Sequence, residues 1–187
     1  PSDFVISYIG SVGTWYLLDE MVYFFKLLTN NHPHARFLFL TPDAPEKIEK
    51  TFSKYDIDLN NVVIKYVERK SLTSFAHASD LNIFFIKPSY SKIASSPTKL
   101  GEMLSMGIPV LCNNNIGDVE KIIDDTGAGI CIHDFRKETL QRAVDFFLTN
   151  KQFAPYEIRE KAQNFFDLDR GIHSYSQIYE HLITYTP

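Results

Sequence analysis

The chain has 187 residues, 44% of them apolar and 22% charged, and its 19 basic and 23 acidic side chains leave a net charge of −4. That length suits one globular domain with enough apolar material for a core and is short for two. No Lys/Arg cluster dominates any segment, which excludes a nucleic-acid footprint. No apolar run is long enough to span a bilayer, and no signal-peptide pattern opens the chain. The two cysteines, Cys112 and Cys131, are too few for a disulfide framework. Both lie in strand-like stretches and read as buried free thiols of a cytoplasmic protein. The start, Pro1-Ser2-Asp3, has no initiator Met and enters a strand almost at once, as a cut-out from a larger protein would; processing or a tag removes a Met equally well.

The run Phe4 to Ile9 is β-rich, ends at Gly10 and reads as a buried strand. Gly10-Ser11-Val12-Gly13-Thr14 is a loop. Leu17, Leu18, Met21, Val22, Phe24, Phe25 and Leu28 then recur at helical spacing until Asn30-Asn31-His32-Pro33 ends the helix. Arg36 to Thr41 is a second strand, and Pro42-Asp43-Ala44-Pro45 starts a polar helix running to about Tyr55. Val62 to Val67 is a third strand. Ser71 is placed as the N-cap of a short helix carrying Leu72, Phe75 and Ala76. Leu81 to Ile86 is a fourth strand, closed by Pro88. After the polar loop Ser89 to Ser96, Pro97 takes the first position of a helix and Ser96 its cap; this helix reaches Met106 and stops at Gly107. Pro109 to Cys112 is a fifth strand, Val119 to Asp124 a helix and Gly129 to Ile132 a sixth strand. Lys137 to Thr149, Tyr156 to Phe165 and His173 to Tyr185 read as helices.

Strands alternate with helices, and most strands are continuously apolar. The expected fold is α/β: a Rossmann-like parallel sheet of about six strands with helices on both faces and a C-terminal helical tail, in one domain over residues 1–187. No internal repeat or low-complexity tract interrupts it.

In an open parallel sheet, ligands bind beyond the carboxyl ends of the strands. Two loops qualify. The two glycines of Gly10-Ser11-Val12-Gly13-Thr14 let backbone approach a ligand closely, but the loop is neither a GxGxxG fingerprint nor a P-loop, so a structural turn and a ligand contact are both open. Ser95-Ser96-Pro97-Thr98 opens a helix after strand four, and the first turn of a helix offers free N–H groups and a positive dipole end to a phosphate. Lys99 in that turn opposes the dipole. It is either a solvent-exposed lysine or one that a nearby anion explains. Glu102 shares its face; its carboxylate either pairs with Lys99 or accepts hydrogen bonds from two vicinal hydroxyls of a ribose. Residue types alone stop at a nucleotide-binding α/β domain.

Other groups read as structure. The six histidines (His32, His34, His77, His133, His173, His181) show no metal-ligand spacing, and His32 and His34 flank Pro33 in what reads as a solvated turn. Asp124 and Asp125 read as surface charge, and Tyr175, Tyr179 and Tyr185 as packing residues of the last helix. No Ser-His-Asp or Cys-His arrangement can be placed.

The stretch from Ser96-Pro97-Thr98-Lys99 through Glu102-Met103-Leu104-Ser105-Met106-Gly107-Ile108-Pro109-Val110 resembles the donor-site segment of the GT-B retaining glycosyltransferases of group 1 (family 4 type). There, a helix carrying a glutamate is followed by small-Met/Cys-Gly-x-Pro-Val. Upstream, Ala78-Ser79-Asp80-Leu81-Asn82-Ile83 and Lys87-Pro88-Ser89 are similar to the family's strand before that helix. Downstream, Gly117-Asp118-Val119-Glu120-Lys121-Ile122-Ile123 and Gly127-Ala128-Gly129 are similar to its next helix and strand. Tyr8-Ile9-Gly10-Ser11-Val12 is similar to its opening strand and loop. The resemblance spans about residues 4 to 150.

The resemblance implies a site for a nucleotide-diphosphate sugar, with UDP- or GDP-sugar as substrate and no cofactor. By carry-over, Glu102 holds the donor ribose, and the N–H groups at Ser96, Thr98 and their neighbour Ser95 hold the diphosphate. Tyr66-Val67-Glu68-Arg69 lies by the base, and Gly10, Ser11, Gly13 and Thr14 pass close to the phosphates. Three departures stand out, one being the Ser96-Pro97-Thr98-Lys99 form itself, which reads as a subfamily variant rather than decay. The family often has a second glutamate eight residues before the ribose one, where this chain has Ala94. It also often has an Arg and a Lys after its first strand, where this chain has Thr14-Trp15-Tyr16, which leaves Lys99 or Arg69 to supply the charge. The chain then corresponds to the C-terminal half of an enzyme of polysaccharide biosynthesis. The N-terminal acceptor half is missing and is the only expected route to membrane contact, peripheral at the inner membrane; the protein is otherwise cytoplasmic. Alone, the half binds nucleotide and does not turn over. Two other readings are a nucleotide-sugar 2-epimerase of the same architecture, whose acid/base set cannot be placed here, and a non-catalytic flavodoxin- or receiver-like domain. A receiver needs an acidic pair and an Asp where this chain has Gly10-Ser11 and Glu68-Arg69.

Overall fold

The computed structural model describes residues 3–149 and 153–184. Pro1, Ser2 and Tyr185, which the sequence reading used, lie outside them. Six parallel strands form one sheet: β1 (Val5–Ile9), β2 (Arg36–Leu40), β3 (Val62–Lys65), β4 (Leu81–Ile83), β5 (Val110–Asn113) and β6 (Gly129–Ile132), in the order β3-β2-β1-β4-β5-β6. Among the described residues there are eight α-helices: α1 (Leu18–Asn31), α2 (Pro45–Lys54), α3 (Arg69–Ala76), α4 (Thr98–Ser105), α5 (Val119–Thr126), α6 (Lys137–Thr149), α7 (Pro155–Phe166) and α8 (Leu168–Thr184). The expected α/β Rossmann-like fold is the observed one.

The strand order reverses between β1 and β4. From β1 the chain winds outward through β2 to β3, then returns and winds the other way through β4, β5 and β6. Right-handed crossovers therefore put the helices of the two halves on opposite faces. Accordingly α1 packs with α2 and α6, while α7 packs with α4 and α5. The crevice at the carboxyl ends of β1 and β4 is the place such a sheet offers a ligand. On one face, Phe37 and Phe39 project together because side chains two apart share a face. Their rings lie 4.4 Å apart, and Phe25 of α1 and Phe52 of α2 pack edge-on around them. At the sheet centre, Asn82 Nδ2 donates to Ser7 O and Ser7 Oγ, both at 3.0 Å, tying β4 to β1.

Several boundaries differ from the sequence reading. The fourth strand ends at Ile83 rather than Ile86, because the next residues turn to the segment before α1. Leu17 N–H donates to Phe85 O, Lys87 N–H to Trp15 O, and Tyr16 and Ile86 form an antiparallel bridge. The side chain of Asn113 replaces the missing ladder, accepting from Ile86 N–H at 2.8 Å and donating to Ile86 O at 3.1 Å. Ser71 lies inside α3 rather than at its cap; Glu68 holds that position. Pro97 is the cap residue of α4 rather than its first residue, so Ser96 lies outside and no side chain caps the helix. The last helix starts at Leu168, five residues before the expected His173.

Three other readings change. Cys112 is buried but Cys131, its register partner on the next strand, is only half-buried; both are free thiols. His32 is half-buried and meets the Phe4 ring edge-on instead of standing in a solvated turn. Tyr175 and Tyr179 are exposed, because no residue of α8 is buried against the rest of the chain.

Candidate functional site

Beyond the carboxyl ends of β1 and β2 lies a cleft of about 450 Å³, lined among others by Gly10, Thr41, Tyr66, Arg69, Thr98, Lys99 and Glu102. Seven residues singled out from sequence thus meet in one place: Gly10 from the β1 loop, Tyr66 and Val67 from the segment after β3, Arg69 from α3, and Thr98, Lys99 and Glu102 from α4. Ser11, Gly13, Thr14, Ser95 and Ser96 are not among the lining residues.

The β1 loop is closed on itself. Gly10 N–H donates to Leu40 O at 2.9 Å, Val12 N–H to the Asp43 carboxylate at 2.6 Å and Gly13 N–H to Ser11 Oγ at 3.3 Å. Ser11 Oγ itself donates to Asp43 at 2.8 Å, and Tyr8 Oη to Ser11 O at 2.7 Å. The N–H groups of Gly10, Val12 and Gly13 thus donate within the protein, as those of a structural turn do. Asp43 was read from sequence only as part of a helix start. Its signal was its place just past a strand end, next to β1, where a carboxylate reaches the neighbouring loop.

The start of α4 is the opposite case. Ser95 N–H donates to Lys92 O and Leu100 N–H to Pro97 O, but the N–H groups of Ser96, Thr98 and Lys99 donate no hydrogen bond among the described residues. Free N–H groups at a helix start are an anion site in waiting. The loop leading into the helix is fixed from behind by Gly117, which has φ +45 and whose N–H donates to Lys92 O at 3.1 Å. A Cβ at Gly117 would stand 2.1 Å from Ser95 O, so only glycine fits there.

Lys99 is not the exposed lysine that one reading allowed. It is buried, with 8% of its surface exposed, and Nζ has no hydrogen-bond partner among the described residues. Its ammonium faces two rings, 4.2 Å from the centroid of Tyr8 and 3.7 Å from that of Tyr16. Burial pulls its pKa down to about 7, with the Glu102 carboxylate acting the other way. The Lys99–Glu102 ion pair considered from sequence gives way to a different one. Arg69 Nη2 donates to Glu102 Oε1 at 3.3 Å, across two elements and at the exposed rim. Tyr8 and Tyr16 carry pKa values raised by burial, so both rings are neutral hydroxyl donors over the ordinary pH range. Neither is a candidate site residue from sequence, because an aromatic near a strand end, such as Tyr8, or leading into an apolar helix, such as Tyr16, reads as core. Among the described residues, no group of three or more His, Cys, Asp or Glu side chains is gathered as for a metal ion.

A doubly wound parallel sheet, with an uncapped helix start, a buried lysine and a carboxylate at its crevice, defines a Rossmann-like α/β domain. The chain belongs to the glycosyl transferases group 1 family, whose model matches residues 1–165. A comparison with curated protein sequences finds no match. Among solved structures, it is similar to a glycosyltransferase from Rickettsia africae (TM-score 0.76, 17% identity, covering 100% of this chain and 50% of that one). It is also similar to WaaG, a glycosyltransferase involved in lipopolysaccharide biosynthesis (TM-score 0.70, 21% identity, 89% and 44%). S. aureus TarM, solved with UDP, matches with TM-score 0.69 and 14% identity over 96% and 36%. The chain spans half the length of the first of these or less of the others.

Proposed function

We propose that this chain is the donor-binding, C-terminal half of a GT-B retaining glycosyltransferase, and that the cleft at α4 holds a nucleotide-diphosphate sugar. The observation that carries the reading is the convergence of unspent N–H groups at the start of α4 with Glu102 one turn further along. A diphosphate satisfies the N–H groups. Glu102 keeps one carboxylate oxygen clear of Arg69 to accept from the ribose hydroxyls. Tyr66 to Arg69 then borders the base. Gly10 leaves the β1 backbone bare beside Lys99, since a Cβ there would lie 3.6 Å from Nζ. In the transfer step, the negative charge that builds on the departing diphosphate is met by fixed helix-end dipoles and by Lys99, which need not reorganise as the bond breaks.

The acceptor half is supplied by a segment outside these 187 residues, in keeping with structural relatives about twice as long. A single half cannot enclose the reacting atoms, so this chain binds donor without turnover. No helix among the described residues is long and apolar enough to cross a membrane. A cytoplasmic enzyme of polysaccharide assembly, touching the inner membrane through its other half, fits that and the lipopolysaccharide role of WaaG. The test is a calorimetric panel of UDP, GDP, CMP, ADP and dTDP. One of them binds, and Glu102→Ala weakens it by roughly 1–3 kcal/mol. No binding by any of the five at millimolar concentration sinks the reading.

A further inference from the structure

Lys99 carries a buried amino group, and its Nζ has no hydrogen-bonded partner among the described residues. A cation in that position is costly unless an anion is brought to it. The two tyrosine faces recover part of the cost through their ring quadrupoles. They offer no negative charge, and Phe84, 5.8 Å away, adds only a third ring. The side chain reaches from the first turn of α4 to the bare backbone of Gly10, so it closes the inner end of the same cleft that the free helix N–H groups open onto.

We propose that Lys99 is the phosphate-recognising residue of this cleft and that it takes up one proton from solvent when a nucleoside diphosphate binds. This rests on the donor-site reading above. The charged and titratable groups around it support the coupling. From β1 and from the segment before α1, Tyr8 and Tyr16 are held neutral, their pKa values raised by burial. On α4 itself, Glu102 is shared with Arg69 of α3. Past β2, Asp43 is committed to Ser11 and Val12 N–H. None of these neutralises the ammonium in the empty cleft, where burial brings its pKa to about 7. A diphosphate alongside restores the ordinary ammonium. An N–H bond forms at Nζ, the proton coming from a buffer acid or hydronium ion that gives it up; nothing is oxidised or reduced. Binding then favours the protonated form, and affinity falls toward tenfold per pH unit above about 7 and flattens below it.

The test is calorimetry of UDP at pH 8 in two buffers of different ionisation enthalpy, with wild type, Lys99→Met and Lys99→Arg, and with uridine as the ligand lacking phosphate. The terminal phosphate of UDP titrates equally against all three proteins, so the difference between them isolates Lys99. Wild type takes up close to one proton more than either variant, Lys99→Met loses at least tenfold in UDP affinity, and uridine binding is indifferent to pH. UDP binding with equal proton uptake and equal affinity in wild type and Lys99→Met overturns the proposal and leaves the donor site standing. Absence of UDP binding to wild type, together with failure of the other nucleotides, removes the donor site and this proposal with it. Should the variants not fold, the wild-type UDP affinity between pH 7.5 and 9 decides: a flat profile overturns the proposal.

Discussion

The Nζ of Lys99 stands 3.7 Å from the centroid of the Tyr16 ring, so the first turn of α4 and the segment entering α1 share a buried cation. Folding puts that ammonium where water no longer solvates it, and this leaves a signature in the pH dependence of stability. The folded pKa is about 7 and the ordinary value 10.5. Between those two pH values the unfolded chain binds more protons than the folded one, so stability rises with pH, by at most about 1.4 kcal/mol per unit. Below pH 7 both states are protonated and the full penalty is present. Above pH 10 the trend reverses, because Tyr8 and Tyr16 have raised folded pKa values and the stability they lend is lost once unfolded tyrosines ionise. Urea titrations of wild type at pH 7, 8 and 9 give a rising midpoint, and Lys99→Met is more stable than wild type at pH 7 with a flatter profile. A wild-type midpoint independent of pH over this range contradicts the burial of the charge.

Asp43 is the clasp of the β1 loop, since it receives Ser11 Oγ and Val12 N–H together. Asp43→Ala leaves a part-buried N–H without an acceptor. A loss of roughly 1–3 kcal/mol in unfolding free energy is expected, along with faster amide exchange at Val12. Ser11→Ala leaves the Val12 bond in place and costs less. The opposite ranking of the two variants shows that the loop is held by something else.

Gly117→Ala has two faults at one position: a left-handed φ of +45 and a Cβ 2.1 Å from Ser95 O. The backbone has to give, at roughly 1–3 kcal/mol, and the segment displaced is the one leading into α4. Thermal denaturation shows the destabilisation, and nucleotide titration shows weaker binding although Gly117 is not a lining residue of the cleft. Unchanged affinity separates this loop from the site.

On α8, Ile172, Tyr175, Ile178 and Ile183 are each more than half exposed. Replacing Ile172 and Ile183 by Ser touches no side chain buried among the described residues, so the unfolding free energy stays within the small range of surface substitutions, about 0.5 kcal/mol. A drop of several degrees in the melting temperature of the isolated chain means that α8 packs on the body after all.

Much of the fold was legible because its signals are local. Continuous apolar strands, helical spacing in the residues after Leu17, and stops at Gly107 and before Pro109 are each written within a dozen residues. From these the alternation of strands and helices, and hence a parallel sheet, could be read. Two of the differences lie beyond the reach of any local signal. The fourth strand is cut short by Trp15 and Tyr16, about seventy residues upstream of it, and among the described residues nothing buries Tyr175 and Tyr179 of α8.

The same division runs through the cleft. The sequence by itself put Thr98, Lys99 and Glu102 on one helix start, because three and four residues along a helix is a fixed geometry. Only the tertiary structure decided that Lys99 lies under the rings of Tyr8 and Tyr16, that Glu102 answers to Arg69 rather than to Lys99, and that Asp43 takes the Val12 N–H and the Ser11 hydroxyl of the β1 loop. Those contacts join residues that are tens of positions apart. Whether a charge is buried, and what faces it, depends on how strands β1 and β4 and their loops close over one another, and no local pattern encodes that.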